Sequence, residues 1–331
     1  MSLKLNIKMK LAVVGATGLV GQEVLKVLEE RAVSFDELYL VASAKSVGQK
    51  IKFKGKEYTI IGMEEAVALA PDVAIFSAGG GTSLEWAPKF AAVGTTVIDN
   101  SSAWRMDSTK KLIVPEINGH ELGTDDLIIA NPNCSTIQMV MALAPLHTKY
   151  KIKRIVVSTY QSISGAGQKG LNQLHNEQLG IYDPTIKHPI HSNAIFHPVS
   201  TEDSDWTVEE IKMIKETRKI LHLPDLAITV TCVRLPIEVG HSEAVFMELK
   251  ENTNVAEIKN VFTNSKGIVV MDNLQNDEYP TPVMTEDRDE VFIGRIRKDP
   301  TITNGFWFWV VANNVRKGAA SNAIQIAEGL I

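Results

Sequence analysis

The chain has 331 residues, 44% hydrophobic and 22% charged, a soluble globular balance in a length that predicts two domains rather than one core. A formal net charge of −5 argues against a nucleic-acid-binding surface, and no apolar stretch approaches the ~20 residues that span a bilayer. Met1 to Lys10 is polar and lysine-rich with no apolar secretory core, and two cysteines make no disulfide framework, so a cytoplasmic location is expected.

The first third alternates short β-rich runs with amphipathic helical runs. Leu11–Val14, Leu38–Val41, Val73–Phe76, Thr96–Ile98 and Leu127–Ile129 read as strands. Leu19–Arg31, Glu64–Leu69 and Leu84–Val93 read as helices. Such alternation predicts an α/β, Rossmann-type doubly wound parallel sheet. After about Tyr150 the texture changes. Longer strand-like runs follow one another at Arg154–Tyr160, Ala227–Leu235, Ala244–Leu249, Val291–Arg297 and Phe306–Ala312, with helices at Val208–Leu221 and Val255–Thr263. This predicts an α+β domain built on a large mixed or antiparallel sheet. The last run, Gly318–Leu330, has helical spacing and is expected to return to the first domain. The expected division is residues 1–133, completed by 314–331, and residues 134–313.

Gly15-Ala16-Thr17-Gly18-Leu19-Val20-Gly21 follows the first strand and opens the first helix, the context a dinucleotide fingerprint requires. Gly15 allows the tight turn, Gly18 admits the pyrophosphate, and Gly21 lets the helix sit close to the sheet. The turn assigns Gly15, Thr17, Gly18, Leu19 and Val20 to a cofactor, with the helix N-terminus facing its phosphates. The end of the second strand has no acid for a ribose 2′-hydroxyl. It reads Val41-Ala42-Ser43-Ala44-Lys45-Ser46, which suits a 2′-phosphate, so Lys45 and Ser46 point to NADP; a solvated loop lysine is the plainer alternative. A second small-residue loop, Ser77–Ser83, is expected at the same edge of the sheet.

Asn131-Pro132-Asn133-Cys134-Ser135-Thr136 places a cysteine directly ahead of an apolar helical run, Ile137–Leu146. A helix start stabilises a thiolate, which is a nucleophile at neutral pH where a thiol is not. Taken alone, the segment reads equally well as a packed cysteine beside an ordinary cap. Cys232, inside the apolar run Leu226–Leu235, reads as a packed strand residue. Arg234 and His241 stand seven apart, at the end of one strand-like run and the start of the next; a hairpin-like return would bring them to one end of the sheet. Glu209 and Lys212 share a helix face at i,i+3, with Glu210 adjacent, and a solvated ion pair is the competing reading. Four histidines fall between His175 and His197, in a segment rich in Pro and Asn that reads as a loop or interface without a metal.

Gly15–Gly21, Ser101-Ser102-Ala103-Trp104-Arg105, Asn133–Thr136, Gln161–Gly167, Arg234 with His241, and Asn314–Ala320 occur in one order, and in that order the chain resembles aspartate-β-semialdehyde dehydrogenases from about Lys10 onward. The resemblance implies reduction of L-aspartyl-4-phosphate by NADPH to L-aspartate-4-semialdehyde with release of inorganic phosphate, in the biosynthesis of lysine, threonine, methionine and isoleucine. It makes Cys134 the thioester-forming nucleophile, His241 the acid/base catalyst and Gln161 the group that orients the acyl carbon. By the same resemblance Arg105 and Lys212 bind the substrate phosphate, Arg234 its α-carboxylate and Glu209 its amino group, and Asn133 lies among the substrate contacts. Ser164, Gly165 and Asn314 fall to the cofactor. A homodimer or tetramer through the large sheet is implied, with no metal, nucleic acid or membrane partner. The alternatives are an N-acetyl-γ-glutamyl-phosphate reductase, which shares the chemistry on a longer substrate, and a non-catalytic paralogue acting as a binding partner. A glyceraldehyde-3-phosphate dehydrogenase fits less well, because its Cys-Thr-Thr-Asn-like segment is replaced here by Cys134-Ser135-Thr136-Ile137. A Cys/His hydrolase leaves the glycine turn without a role.

Overall fold

A computed structural model describes residues 9–203 and 205–330. The leading segment Met1–Lys8, read above as carrying no secretory core, lies outside the described residues. The chain divides into two compact units. The first holds residues up to Pro115, then Gly119–Asn131, and the chain from Ala320 on. The second holds Glu116–Asn118 and Pro132–Ala319. Asn314–Ala319, grouped above with the returning C-terminal segment, therefore belong to the second unit.

In the first unit the strands are β1 (Lys10–Val14), β2 (Glu37–Val41), a side hairpin of β3 (Lys50–Phe53) and β4 (Lys56–Thr59), then β5 (Val73–Phe76), β6 (Thr96–Asp99), β7 (Lys111–Leu112) and β8 (Ile128–Ala130). The helices are α1 (Leu19–Glu30), α2 (Met63–Ala68) and α3 (Gly80–Ala92); a short α4 (Pro115–Asn118) follows β7. Six strands form one parallel sheet in the order β2-β1-β5-β6-β8-β7. The alternation within β1 shows why its strands read as continuous apolar runs. Leu11 and Val13 join α1 residues Val24 and Leu28 in one core, while Ala12 and Val14 join Phe76, Ala87 and Phe90 in another. Both faces of the sheet are covered, so both side-chain registers must be apolar. The first core is completed by Ala323, Ile324 and Ala327 of the last helix. Two details depart from expectation. The Ser77–Ser83 loop ends early, because α3 begins at Gly80 after Gly79 turns at φ +86°. The β3–β4 hairpin is an added element, turned at Lys54 and Gly55, both with positive φ.

The second unit contains α5 (Cys134–Tyr150), β9 (Ile152–Gln161), α6 (Gln168–Gln178), β10 (Ile195–Phe196), α7 (Val208–Ile220), β11 (Ala227–Arg234), β12 (His241–Leu249), α8 (Val255–Thr263), β13 (Ile268–Val270), β14 (Val291–Lys298) and β15 (Gly305–Ala312). Its seven strands form a mixed sheet in the order β10-β11-β9-β12-β15-β14-β13. The apolar helix α5 contacts β12, β15, α7 and α8. On the other register of the strands, Tyr160 packs on Trp309 and Phe246 on Trp307, each with ring centroids 5.3 Å apart. The last predicted helix starts differently from expectation: Arg316–Ala320 is a π-helical turn, and α9 (Ser321–Glu328) follows it.

Candidate active site

Strand order corrects the hairpin expected between Arg234 and His241. β9 lies between β11 and β12. Arg234 is in register with Gln161, and the pairing of Ser242 with Tyr160 sets His241 across from Gln161 on the other side. Side chains in register share a face, so Arg234, Gln161 and His241 form one row across three adjacent strands. The next row inward is Cys232, Thr159 and Glu243.

The start of α5 meets the outer row. Asn133 caps the helix, its Oδ1 accepting from Ser135 N–H at 3.0 Å and Thr136 N–H at 3.2 Å. Asn133 Nδ2 donates to Glu209 Oε1 at 2.8 Å, and its main-chain N–H to Glu216 Oε2 at 2.6 Å. Gln161 Nε2 donates to Ser135 Oγ at 3.0 Å and lies 3.4 Å from Glu209 Oε1. Cys134, the first helical residue, is partly exposed, while Cys232 is fully buried against Met213, which pushes its thiol pKa up. Cys134 is the accessible thiol of the two.

The structure also separates Glu209 from Glu210. Glu210 completes a capping box with Thr207 and accepts from Cys232 N–H at 2.9 Å, so it serves the fold. Glu209 turns to the site and pairs with Lys212 at 3.4 Å. Burial works to raise the Glu209 pKa, yet His197, Lys212, the Asn133 amide and Arg234 hold it at about 2. Burial pushes His197 down to about 4, so it is uncharged at neutral pH, and Lys212 and Arg234 carry the countercharge. Arg234 donates to Ser162 O at 3.0 Å and meets His197 Nδ1 at 3.2 Å; Glu209 and Cys134 favour its charge against burial. His241 is wholly buried, and burial with Arg234 and His197 lowers it to about 3, leaving a neutral ring. The site thus holds a fixed anion, a fixed guanidinium, two neutral imidazoles and a thiol at a helix start.

Family models match both parts of the chain: "Semialdehyde dehydrogenase, NAD binding domain" over residues 10–124 and "Semialdehyde dehydrogenase, dimerisation domain" over residues 143–317. An aspartate-semialdehyde dehydrogenase of Aquifex aeolicus is 50% identical over 97% of this chain and 98% of its own. The Bacillus subtilis relative of the same name is 45% identical over 96% of each. The crystal structure of aspartate semialdehyde dehydrogenase II from Vibrio cholerae, complexed with ASA, superposes with a TM-score of 0.92 at 40% identity, covering 98% of both chains. The chain belongs to the aspartate-semialdehyde dehydrogenase family. It is an oxidoreductase with a Rossmann-type NAD(P)-binding domain and a domain for self-association. Among the described residues no helix is long and apolar enough to cross a membrane.

Of the residues that the family resemblance singles out, Asn133, Cys134, Gln161, Ser164, Gly165, Glu209, Lys212, Arg234, His241 and Asn314 fall in the second unit. Arg105 and the glycine turn fall in the first. Arg105 is buried and donates to the main-chain oxygens of Asn131 at 2.9 Å and Asn100 at 2.7 Å. The glycine turn has the shape a dinucleotide needs. Gly15 sits at φ +86°, where a Cβ would lie 2.3 Å from Ser77 O, and a Cβ on Gly21 would lie 2.1 Å from Gly15 O. Gly18 precedes α1 as its N-cap and offers no side-chain cap, leaving the first-turn N–H groups to face an anion. Val41 O accepts from Gly15 N–H at 2.8 Å and Ala16 N–H at 3.1 Å, which brings the loop bearing Lys45 and Ser46 to the turn. These residues fit a dinucleotide.

Three residues near the nucleophile and base were not singled out as site residues by sequence. His197 sits in the histidine-rich segment read as a loop, and its contact with Arg234 depends on the β10–β11 pairing. Ser162 lies in the named loop, but its bonds to His241 are tertiary. Gly318 packs on Cys134, so that a Cβ there would lie 2.7 Å from Cys134 Cβ.

Glu243 in the inner row is fully buried, and neither carboxylate oxygen has a hydrogen-bond partner among the described residues. Burial raises its pKa well above the usual range, against a smaller opposing contribution from Gln138. A raised folded-state pKa means that the neutral acid is the form the fold prefers. Its contribution is complete below the unfolded-state pKa and is lost as pH rises through the folded-state value. Glu243→Gln is therefore expected to raise Tm at about pH 9 by several degrees, with the gain vanishing near pH 5. Thermal melts across that range check it; an equal change at both ends contradicts the assignment.

Proposed function

We propose that this chain reduces L-aspartyl-4-phosphate to L-aspartate-4-semialdehyde with NADPH through a thioester on Cys134. The observation that carries this is the row Arg234–Gln161–His241 set against the helix start at Cys134, with ionised Glu209 beside it. In the proposed course the Cys134 thiolate attacks the acyl carbon, the C–O bond to phosphate breaks, and inorganic phosphate leaves with Lys212 to meet its charge; the family resemblance adds Arg105 as a second phosphate cation. A dinucleotide held through its pyrophosphate at the glycine turn would supply the hydride for reduction of the acyl group. Gln161 orients that group, and the His241 Nε2 hydrogen meets the oxygen that gains charge. The C–S bond then breaks to release the aldehyde and regenerate the thiolate.

Charge selects the substrate. An α-amino acid presents one ammonium and one carboxylate, and Glu209 and Arg234 offer the matching anion and fork. An N-acetylated substrate carries no ammonium, so a buried anion would face a neutral amide and be left unpaired. The complex of the Vibrio cholerae relative with ASA supports the same choice. The assay is phosphate-dependent reduction of NADP⁺ with aspartate semialdehyde, run beside N-acetylglutamate semialdehyde. Turnover of only the second sinks the proposal.

For the cofactor, Lys45→Glu is expected to raise KM for NADP⁺ about tenfold or more, by removing a phosphate-pairing charge and adding a repelling one. KM for NAD⁺ should change little. Equal effects on both would remove Lys45 from the 2′-phosphate site. The match to a dimerisation domain supports a homodimer through the second-unit sheet, which sedimentation of the purified protein tests directly.

A further inference from the structure

The bonds behind His241 govern which of its nitrogens exchanges a proton. Nδ1 meets two groups of one residue, the Ser162 main-chain N–H and the Ser162 hydroxyl, each at 3.0 Å. The hydroxyl also lies 3.0 Å from Asn314 Oδ1. A carbonyl oxygen only accepts, so this bond draws the hydroxyl hydrogen toward Asn314 and turns an oxygen lone pair to Nδ1. Asn314 is itself fixed. Its Oδ1 accepts from Gly240 N–H at 2.9 Å, and its Nδ2 donates to Ser164 Oγ at 3.0 Å. Ser164 Oγ in turn lies 3.1 Å from Ser162 Oγ, which closes the network.

The two Ser162 groups therefore support two states of one ring. The main-chain N–H serves the neutral ring, with its hydrogen on Nε2. The hydroxyl oxygen accepts from Nδ1–H when the ring is protonated. On the far side, Nε2 is buried without a partner among the described residues. It lies 3.3 Å from where a Cβ on Gly165 would stand, and Arg234 Nη1 is 3.0 Å from the same point. That space is kept open only because residue 165 is glycine.

We propose that Asn314 is a positioning residue for the acid/base step: by holding the Ser162 hydroxyl as an acceptor for Nδ1–H, it stabilises the protonated His241 ring, whose Nε2–H faces the open side. This rests on His241 being the acid/base group of the proposed function. The charged groups acting on the ring are Arg234 on β11, Glu209 on α7 and His197 ahead of α7; Glu243 shares its strand face two residues on, and Cys134 opens α5, which packs on that strand. Asn314, Ser162 and Ser164 carry no charge, so substituting them changes hydrogen bonding without changing that field.

Asn314→Ala releases the Ser162 hydroxyl to donate to Nδ1. The neutral ring then gains a bond and the protonated ring loses its acceptor. The His241-dependent limb of kcat against pH should move about one unit lower, a tenfold change in the protonation equilibrium. Ser162→Ala, which removes the acceptor but keeps the N–H, should move it the same way, and the double variant should move it no further than either single variant. Histidine-labelled protein should show the Nε2–H tautomer of His241 by ¹⁵N NMR, a readout independent of turnover. An unchanged pH profile in both variants, with a rise only in KM for the dinucleotide, overturns the proposal and leaves Asn314 as a cofactor contact. Full activity of His241→Asn would instead sink the acid/base reading itself, so the two failures are distinguishable.

Discussion

Cys134→Ser lowers kcat by at least about a thousandfold and leaves the fold intact. A serine hydroxyl stays protonated at neutral pH, so it offers no counterpart of the thiolate for attack on the acyl carbon. The fold should not notice the change. Residue 134 is partly exposed, and the helix cap is made by the Asn133 side chain to Ser135 and Thr136, not by the thiol. Tm within a degree or two of the parent is expected, together with loss of any acyl-enzyme detectable by mass spectrometry after mixing with substrate. A serine variant with full turnover removes the thioester from the mechanism.

Gly318→Ala is expected to cost about ten- to a hundredfold in kcat, from a residue that carries no chemistry. A Cβ at 318 would stand 2.7 Å from Cys134 Cβ and 3.2 Å from Cys134 Cα, closer than packed carbons allow. Neither side yields easily. Residue 318 lies in the π-helical turn Arg316–Ala320, which is tied down by Asn313 Oδ1 accepting from Val315 and Arg316 N–H and by the buried Lys317–Glu116 pair at 2.7 Å. Cys134 sits on a capped helix start. The shift therefore falls on the nucleophile, and a displacement of about an ångström from attack geometry is worth roughly that loss in rate. KM should change little, and Tm should fall by a few degrees from overpacking. The kcat-to-KM split, with a melt as control, is the measurement; parent kcat in a folded Gly318→Ala protein refutes the packing argument.

The sequence by itself determined much of the scaffold. Doubly covered parallel strands such as Leu11–Val14 must be apolar at every position, and the glycines at 15, 18 and 21 are needed where a backbone turns tightly or approaches closely, so both signals are local. The six ordered motifs named the family and its residues. Neither source gave neighbours across the second sheet. Arg234 and His241 are seven apart in the chain, yet the strand that separates them, β9, lies some seventy residues earlier. Strand order is set by long-range pairing energy, which leaves no periodic trace in one sequence. The choice between Glu209 and Glu210 was open for a similar reason. Both sit in the first turn of α7, and only the capping box with Thr207 and the position of Asn133 decide which carboxylate caps and which meets the Asn133 amide. The state of His241 is the furthest from the sequence, because it depends on hydrogen bonds converging from Ser162, Gly240 and Asn314 over some 150 residues of chain. Residue types and local spacing fix what chemistry is available; the tertiary structure, by burying those groups and choosing their partners, decides which of them carries charge and which atom holds the proton.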